Sequence, residues 1–134
     1  SILRNYIQQK DLEFYKMAID KLRIQDGLAY CYFKEGCNQN LLGILGDFFL
    51  ALKEVEFVVL CAKNEDRINF SVRSENENLN ASLIIQFVLS GIGFGGGHSD
   101  MAGGIIKDLK NFDENKIFDK FIENIKKSEK KSGE

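Results

Sequence analysis

Glycines are concentrated in one stretch of the chain, and this stretch limits the possible folds more than any other feature. Seven of the 12 glycines lie in residues 91–104, which also contain the chain's one histidine, His98. A glycine in regular structure costs about 0.5–1 kcal/mol relative to alanine, so the run Gly95-Gly96-Gly97 needs a physical reason. Backbone amides without neighbouring Cβ atoms can converge on a phosphate or carboxylate. The stretch therefore predicts a local anion site with His98 beside it.

Other interpretations of the glycine stretch remain open. It can be a tight turn between a buried helix and a strand, with small residues at 102–104 that allow close packing. A dinucleotide-binding loop is disfavoured, because the spacing is not GxGxxG and the stretch follows a helix instead of opening a βαβ unit. Phe94 is a candidate for stacking on a base. Packing in the core is the favoured role for this ring.

Composition restricts the function classes. The net charge of −2 comes from 18 basic and 20 acidic residues, so the chain has no general affinity for polyanions and any phosphate recognition must be local. No apolar run approaches the ~20 residues that span a bilayer, and no basic segment leads into an apolar one at the N-terminus. We expect a cytoplasmic protein without membrane contact. Cys31, Cys37 and Cys61 form no CxxC pair, which favours reduced thiols over a zinc site.

Hydrophobic periodicity predicts one domain of the α/β class, with α+β as the alternative. Helices are predicted where apolar residues recur every three to four positions, and strands where they alternate or run continuously. The predicted helices are 11–24, 41–52, 81–89 and 114–125, and the predicted strands are 28–33, 55–62, 67–73 and 105–106. This order predicts a small mixed sheet of about four strands packed with helices. Arg67 and Arg73 share the polar face of the strand 67–73.

A known family carries a similar glycine signature. Gly95-Gly96-Gly97-His98, followed by Ala102-Gly103-Gly104, resembles the GGGH…AAG motif of the DHH-associated domain. That domain lies at the C-terminus of RecJ-like exonucleases, nanoRNases and cyclic-di-AMP phosphodiesterases. There the motif follows a strand ending in Arg-Ser, a loop and a helix, as it follows Arg73-Ser74 here. The likeness covers residues 28–125, which implies that 1–27 form a linker helix from a missing N-terminal catalytic domain. Residues 126–134 remain as a charged tail that we expect to fray.

The resemblance implies a division of labour between two domains. The missing DHH domain would hold two manganese ions that activate water, and this chain would hold no cofactor and be inactive alone. The implied function is to bind substrate for a phosphoesterase that hydrolyses phosphodiester or phosphomonoester bonds of short oligonucleotides, cyclic dinucleotides or nucleoside phosphates. His98 would assist catalysis, and a homodimer is left open. The implied substrate-binding residues are Arg73, Ser74, Gly95, Gly96, Gly97, His98 and Ser99, with Arg67 as a weaker candidate that is equally well explained as a surface charge.

One departure from the family pattern supports an alternative. The usual motif has two alanines before its closing glycine, whereas Met101-Ala102-Gly103-Gly104 has methionine first and a doubled glycine. The C-terminal domain of alanyl-tRNA synthetase has a related glycine-rich stretch that ends in Asp-Met-Ala, as Asp100-Met101-Ala102 does here. A basic residue usually takes the place of His98 there, and a domain that faces tRNA should be more basic than this chain. A stand-alone ligand-binding or interaction domain is the third alternative.

Overall fold

The computed structural model describes residues 7–132, which form one mixed sheet with helices on both faces. The helices are α1 Leu12–Lys21, α2 Gln39–Leu50, α3 Ala81–Leu89 and α4 Glu114–Ser132. The strands are β1 Arg23–Gln25, β2 Leu28–Phe33, β3 Phe57–Asn64, β4 Arg67–Ser74, β5 Phe94–Gly97 and β6 Met101–Ile106. The predicted α/β class and mixed sheet are confirmed.

The sheet has the order β1-β2-β3-β4-β6-β5, with β1 and β5 at its edges. Only β2 and β3 run parallel, and the other neighbours are antiparallel. The helix α2 makes the crossover between the parallel pair, as parallel strands require a long connection. The central strand β3 is buried from Phe57 to Ala62, which agrees with the continuous apolar run in its sequence.

Two hydrophobic cores lie on opposite faces of the sheet. One contains Phe57, Phe70 and Phe121 and is covered by α3 and α4. The other contains Phe33, Leu45 and Leu60 and is covered by α1 and α2. The helix α3 was predicted to be buried almost all round, but Leu83 and Phe87 are exposed on its outer side. Each helix therefore buries one side against the sheet.

The prediction of about four strands is wrong by two. The first missed strand is β1, which occupies the end of the predicted helix 11–24. Asp26 and Gly27 have φ values of 52° and 80° and join β1 to β2 in a two-residue hairpin. An Asp-Gly pair is a strong signal for such a turn, because both central residues need positive φ. The second missed strand is β5, which lies in the glycine stretch 91–104.

Both ends of the chain contain regular structure where the sequence predicted a linker helix and a frayed tail. The described part of 1–27 contains α1 and β1, and β1 pairs with β2 as part of the sheet. At the other end α4 continues to Ser132 through the lysines that were expected to fray. Residues 1–6 of the predicted linker and 133–134 of the predicted tail lie outside the described residues. Within residues 7–132, no helix is both long enough and apolar enough to cross a membrane.

The three cysteine thiols are buried and free. Burial raises the pKa of Cys31 and of Cys37 to about 12, and it raises the pKa of Cys61 further. Since the thiolate is the reactive form, we expect all three to resist iodoacetamide at pH 8 in the folded protein. In denaturant all three should react, which mass spectrometry can count. Rapid labelling of any one under native conditions would contradict this burial.

Candidate functional site

The glycine stretch forms an antiparallel hairpin at one edge of the sheet. Gly95, Gly96 and Gly97 lie in β5 and pair with β6, and His98 N donates to Met101 O at 2.8 Å to close the turn. Successive amides of a strand point to opposite edges. The expectation that three consecutive glycine amides converge on one anion is therefore corrected. The alternation leaves the amides of Gly95 and Gly97 pointing away from β6, towards the free edge.

The glycines of the hairpin have different neighbours on its two faces. On the face covered by α3, a Cβ on Gly95 would lie 2.9 Å from Ile85 Cγ2, and one on Gly104 would lie 2.7 Å from Ile85 Cδ1. On the opposite face, a Cβ on Gly96 would meet no atom within 4 Å. Close packing of α3 therefore explains the glycines on one face only. The glycine at 96 keeps space free that the described residues do not fill.

The uncovered side of the hairpin is called here the open face. The open face lies on the same side of the sheet as α2. According to the register of β4, β5 and β6, the residues on it are Phe94, Gly96, Met101, Gly103 and Ile105. Phe94 is 70% exposed and Met101 is 48% exposed. Packing of Phe94 in the core was the favoured interpretation of the sequence, and this is wrong. Two large apolar side chains and a glycine floor thus face outward together.

Arg73 lies beside the open face in a groove on α2. Its Nε donates to Asp47 Oδ1 at 3.1 Å, and its Nη1 lies 3.3 Å from Val72 O and 3.4 Å from Ser71 Oγ. The groove exists because α2 has glycines at 43 and 46. A Cβ at those positions would lie 2.9 Å from Arg73 Nη2 and 3.2 Å from Arg73 Cγ. The side chain is 13% exposed, so this arginine is held in place with Nη2 left for another acceptor.

Arg73 and His98 lie in one row across the sheet. Arg73 pairs with Met101 of β6, and Met101 pairs across the turn with His98. Neighbouring strands are ~4.8 Å apart, so the backbones of Arg73 and His98 are about 10 Å apart. The structure therefore aligns the backbones of Arg73, Met101 and His98. Their side chains line two different hollows: Arg73 and Met101 share one with α2, and His98 lines the other.

The surroundings of His98 disfavour one direction of approach for an anion. His98 is exposed at the hairpin turn, next to a surface hollow that it lines together with Ser74, Glu75, Asn76, Glu77, Ser99 and Asp100. Three of these side chains are carboxylates, which repel phosphate. They therefore disfavour the approach of an anion to His98 through this hollow.

The remaining predicted residues take other places. The Ser74 hydroxyl is buried and donates to Leu79 O at 2.6 Å, which fixes the loop after β4, and its substrate-binding role stays a prediction. Ser99 accepts a bond from Ala81 N through its backbone carbonyl at 2.7 Å, so the turn is anchored to the start of α3. Arg67 lies at the other end of β4, about 20 Å from Arg73 along the strand. There it pairs loosely with Asp66 at 3.8 Å.

The resemblance assigns the two manganese ions to a DHH domain outside this chain, and the described residues offer no cluster that could hold a metal ion. In residues 7–132 no three or more His, Cys, Asp or Glu side chains are grouped so that they could hold a metal ion. The carboxylates beside His98 line a surface hollow.

Comparison with known proteins identifies the family. The model of the DHHA1 domain matches residues 25–127, and the chain therefore belongs to the DHHA1 domain family. No curated protein sequence matches the chain. The likeness to the DHH-associated domain is thereby confirmed.

Solved structures share the fold at low sequence identity. The C-Ala domain of alanyl-tRNA synthetase from Aquifex aeolicus has a TM-score of 0.58 and 24% identity, over 81% of this chain and 96% of that one. An exopolyphosphatase-related protein from Bacteroides fragilis has a TM-score of 0.70 and 14% identity, over 97% of this chain and 38% of that one. A pGpG-specific phosphodiesterase from Vibrio cholerae has a TM-score of 0.60 and 13% identity, over 88% of this chain and 39% of that one. The chain thus spans about two fifths of the length of the last two proteins.

Proposed function

We propose that this chain is the substrate-binding domain of a DHH-family phosphoesterase that acts on short nucleotides in the cytoplasm. The observation that carries the proposal is the backbone row Arg73–Met101–His98, in which the Arg73 side chain is already held in place, beside Gly96, over which no described residue lies. Two structures with the same fold are, by their names, exopolyphosphatase-related and a pGpG-specific phosphodiesterase. In this proposal the catalytic manganese belongs to a DHH domain that faces the open face.

The two charged or polar side chains of the row have different tasks in the proposed mechanism. Arg73 binds a phosphate oxygen through Nη2, because Nε and Nη1 already bond within the domain. A hydrogen bond from a guanidinium to phosphate is charge-assisted, and Arg73 is ordered before the ligand arrives. His98 donates to a second phosphoryl oxygen or assists proton transfer there. The free edge amides of Gly95 and Gly97 supply further donors. This chain therefore binds and orients the phosphate.

A titration of the 134-residue chain tests this proposal. The probe is the 5′-phosphorylated dinucleotide pApA, followed by NMR of the ¹⁵N-labelled protein. We expect amide shifts concentrated at 95–99 and at Arg73. Arg73→Ala should weaken binding about 10-fold or more, because a hydrogen bond to a charged group contributes roughly 1.5–3 kcal/mol.

Arg67→Ala is the matched control, since it removes the same side chain from the same strand face at a distance from the row. It should leave the affinity unchanged. Equal losses in the two variants would indicate a general charge effect and contradict an Arg73 site. No shifts at 95–99 at millimolar pApA would contradict the proposed function itself.

A tRNA-binding role is the second candidate. It is favoured by the likeness to the C-Ala domain, which this chain covers to 96% at 24% identity, and by the shared Asp-Met-Ala sequence. The net charge of −2 and the carboxylates beside His98 oppose a long polyanion. Electrophoretic mobility shift with tRNA distinguishes the candidates. Binding of tRNA below micromolar concentration, without binding of pApA at the row, would favour the second.

A further inference from the structure

We infer that Phe94 forms a stacking site for a nucleobase, so that the ligand of the open face is at least a dinucleotide. The inference rests on the proposed function, because it takes a phosphate to lie between Arg73 and His98. It goes further by assigning a site for the base and by excluding inorganic polyphosphate and mononucleotides as the best ligands.

The first observation is the exposure of the Phe94 ring. The ring is 70% exposed, although aromatic side chains on strands normally contribute area to a core. Its neighbour two residues along the same face is Gly96, where a Cβ would meet no atom within 4 Å. The ring therefore stands beside the unfilled space over Gly96. A planar group can lie in this space and contact the ring without displacing any described side chain.

The second observation is the chemistry around the ring. Lys107 Nζ lies 5.9 Å from the ring centroid. Lys107, Asp108 and Asn111 line a hollow of ≈380 Å³ together with Phe94 and residues 91–93. A base presents a π-face for stacking and polar edge atoms for hydrogen bonds. An apolar protein partner would instead bury the lysine, the carboxylate and the amide, which is unfavourable unless each gains a new bond. The hollow therefore suits a base better than an apolar surface.

The third observation is the distance along the hairpin. Phe94 is four residues from His98, which is about 13 Å in a strand. This distance is longer than the distance from a 5′-phosphate to the base of the same nucleotide, which are separated by one sugar. A phosphate at His98 thus leaves Phe94 to the base of a neighbouring nucleotide. The row and the ring together fit a ligand with two nucleotides or more.

The test compares ligands with and without a base. The 134-residue chain is titrated with pApA and with a dinucleotide analogue in which an abasic sugar replaces one adenosine at a time. We expect pApA to bind about 5- to 150-fold more tightly than one of the two abasic analogues, the range that stacking on an aromatic ring gives. Phe94→Leu keeps an apolar side chain but should abolish this preference. Phe94→Trp should keep the preference and also report binding by fluorescence, because the chain has no other tryptophan.

The outcomes distinguish a failure of this inference alone from a failure of the proposed function. If pApA and both abasic analogues shift the amides at 95–99 with equal affinity, the phosphate site stands and the stacking site is refuted. The stacking site is also refuted if Phe94→Leu weakens pApA and the analogues equally, as a role of Phe94 in domain contact would predict. If no ligand shifts these amides, the proposed function and this inference fail together. Circular dichroism of the variants should be unchanged, since the ring is exposed.

Discussion

Gly97→Ala is expected to lower the free energy of unfolding by about 3 kcal/mol, from backbone strain and overpacking together. Gly97 has a φ of +143°, a backbone conformation that residues other than glycine rarely adopt. A Cβ there would lie 2.8 Å from Ala102 Cα and from Met101 O. Both contacts are with backbone atoms of the paired strand, so no flexible side chain can move away. Urea unfolding followed by circular dichroism measures the loss.

Gly96→Ala is the matched control, one residue away in the same strand. A Cβ on Gly96 would meet nothing within 4 Å, and alanine at a compatible position stabilises by about 0.4–1 kcal/mol through the unfolded state. Its stability should therefore be unchanged or slightly higher. Its affinity for pApA should nevertheless fall, because the added methyl group projects from the open face into the ligand's space. Equal destabilisation of both variants would show that the hairpin is not packed as described, and undiminished affinity would place the ligand elsewhere.

Local sequence patterns predicted the elements that are amphipathic or continuously apolar. The helix 81–89 has the predicted bounds, and β2 and β4 differ from prediction by at most one residue. The missed strand β5 reads Phe-Gly-Gly-Gly, and glycine is depleted in strands. Nothing local stabilises that strand. It forms because Gly95 and Gly104 let Ile85 of α3 approach the hairpin closely, and such a contact between distant segments is not visible in the sequence of the strand itself.

The candidate site was predicted only as separate residues. The glycine run marked His98, and the alternation in 67–73 marked Arg73, but their alignment through Met101 depends on the sheet order β4-β6-β5. Asp47 gave no signal, although it is the ion-pair partner of Arg73. The glycines at 43 and 46 are a weak sequence signal for the groove, since each lowers helix stability by about 1 kcal/mol relative to alanine. Their three-residue spacing on α2 is explained by the arginine that lies over them.

In the phosphoesterase proposed above, His98→Ala is expected to lower kcat by about 100-fold or more, the range for loss of a group that donates or transfers a proton in the transition state. The side chain is exposed, and among residues 7–132 only the backbone of His98 forms hydrogen bonds within the fold. The thermal unfolding temperature should therefore be unaltered. His98→Gln keeps a hydrogen-bond donor but cannot transfer a proton. Partial recovery of kcat in this variant would assign His98 to phosphate binding, and no recovery would assign it to proton transfer. A His98→Ala enzyme with wild-type turnover would remove His98 from the site and leave Arg73 and the open face to bind a ligand that the histidine does not touch.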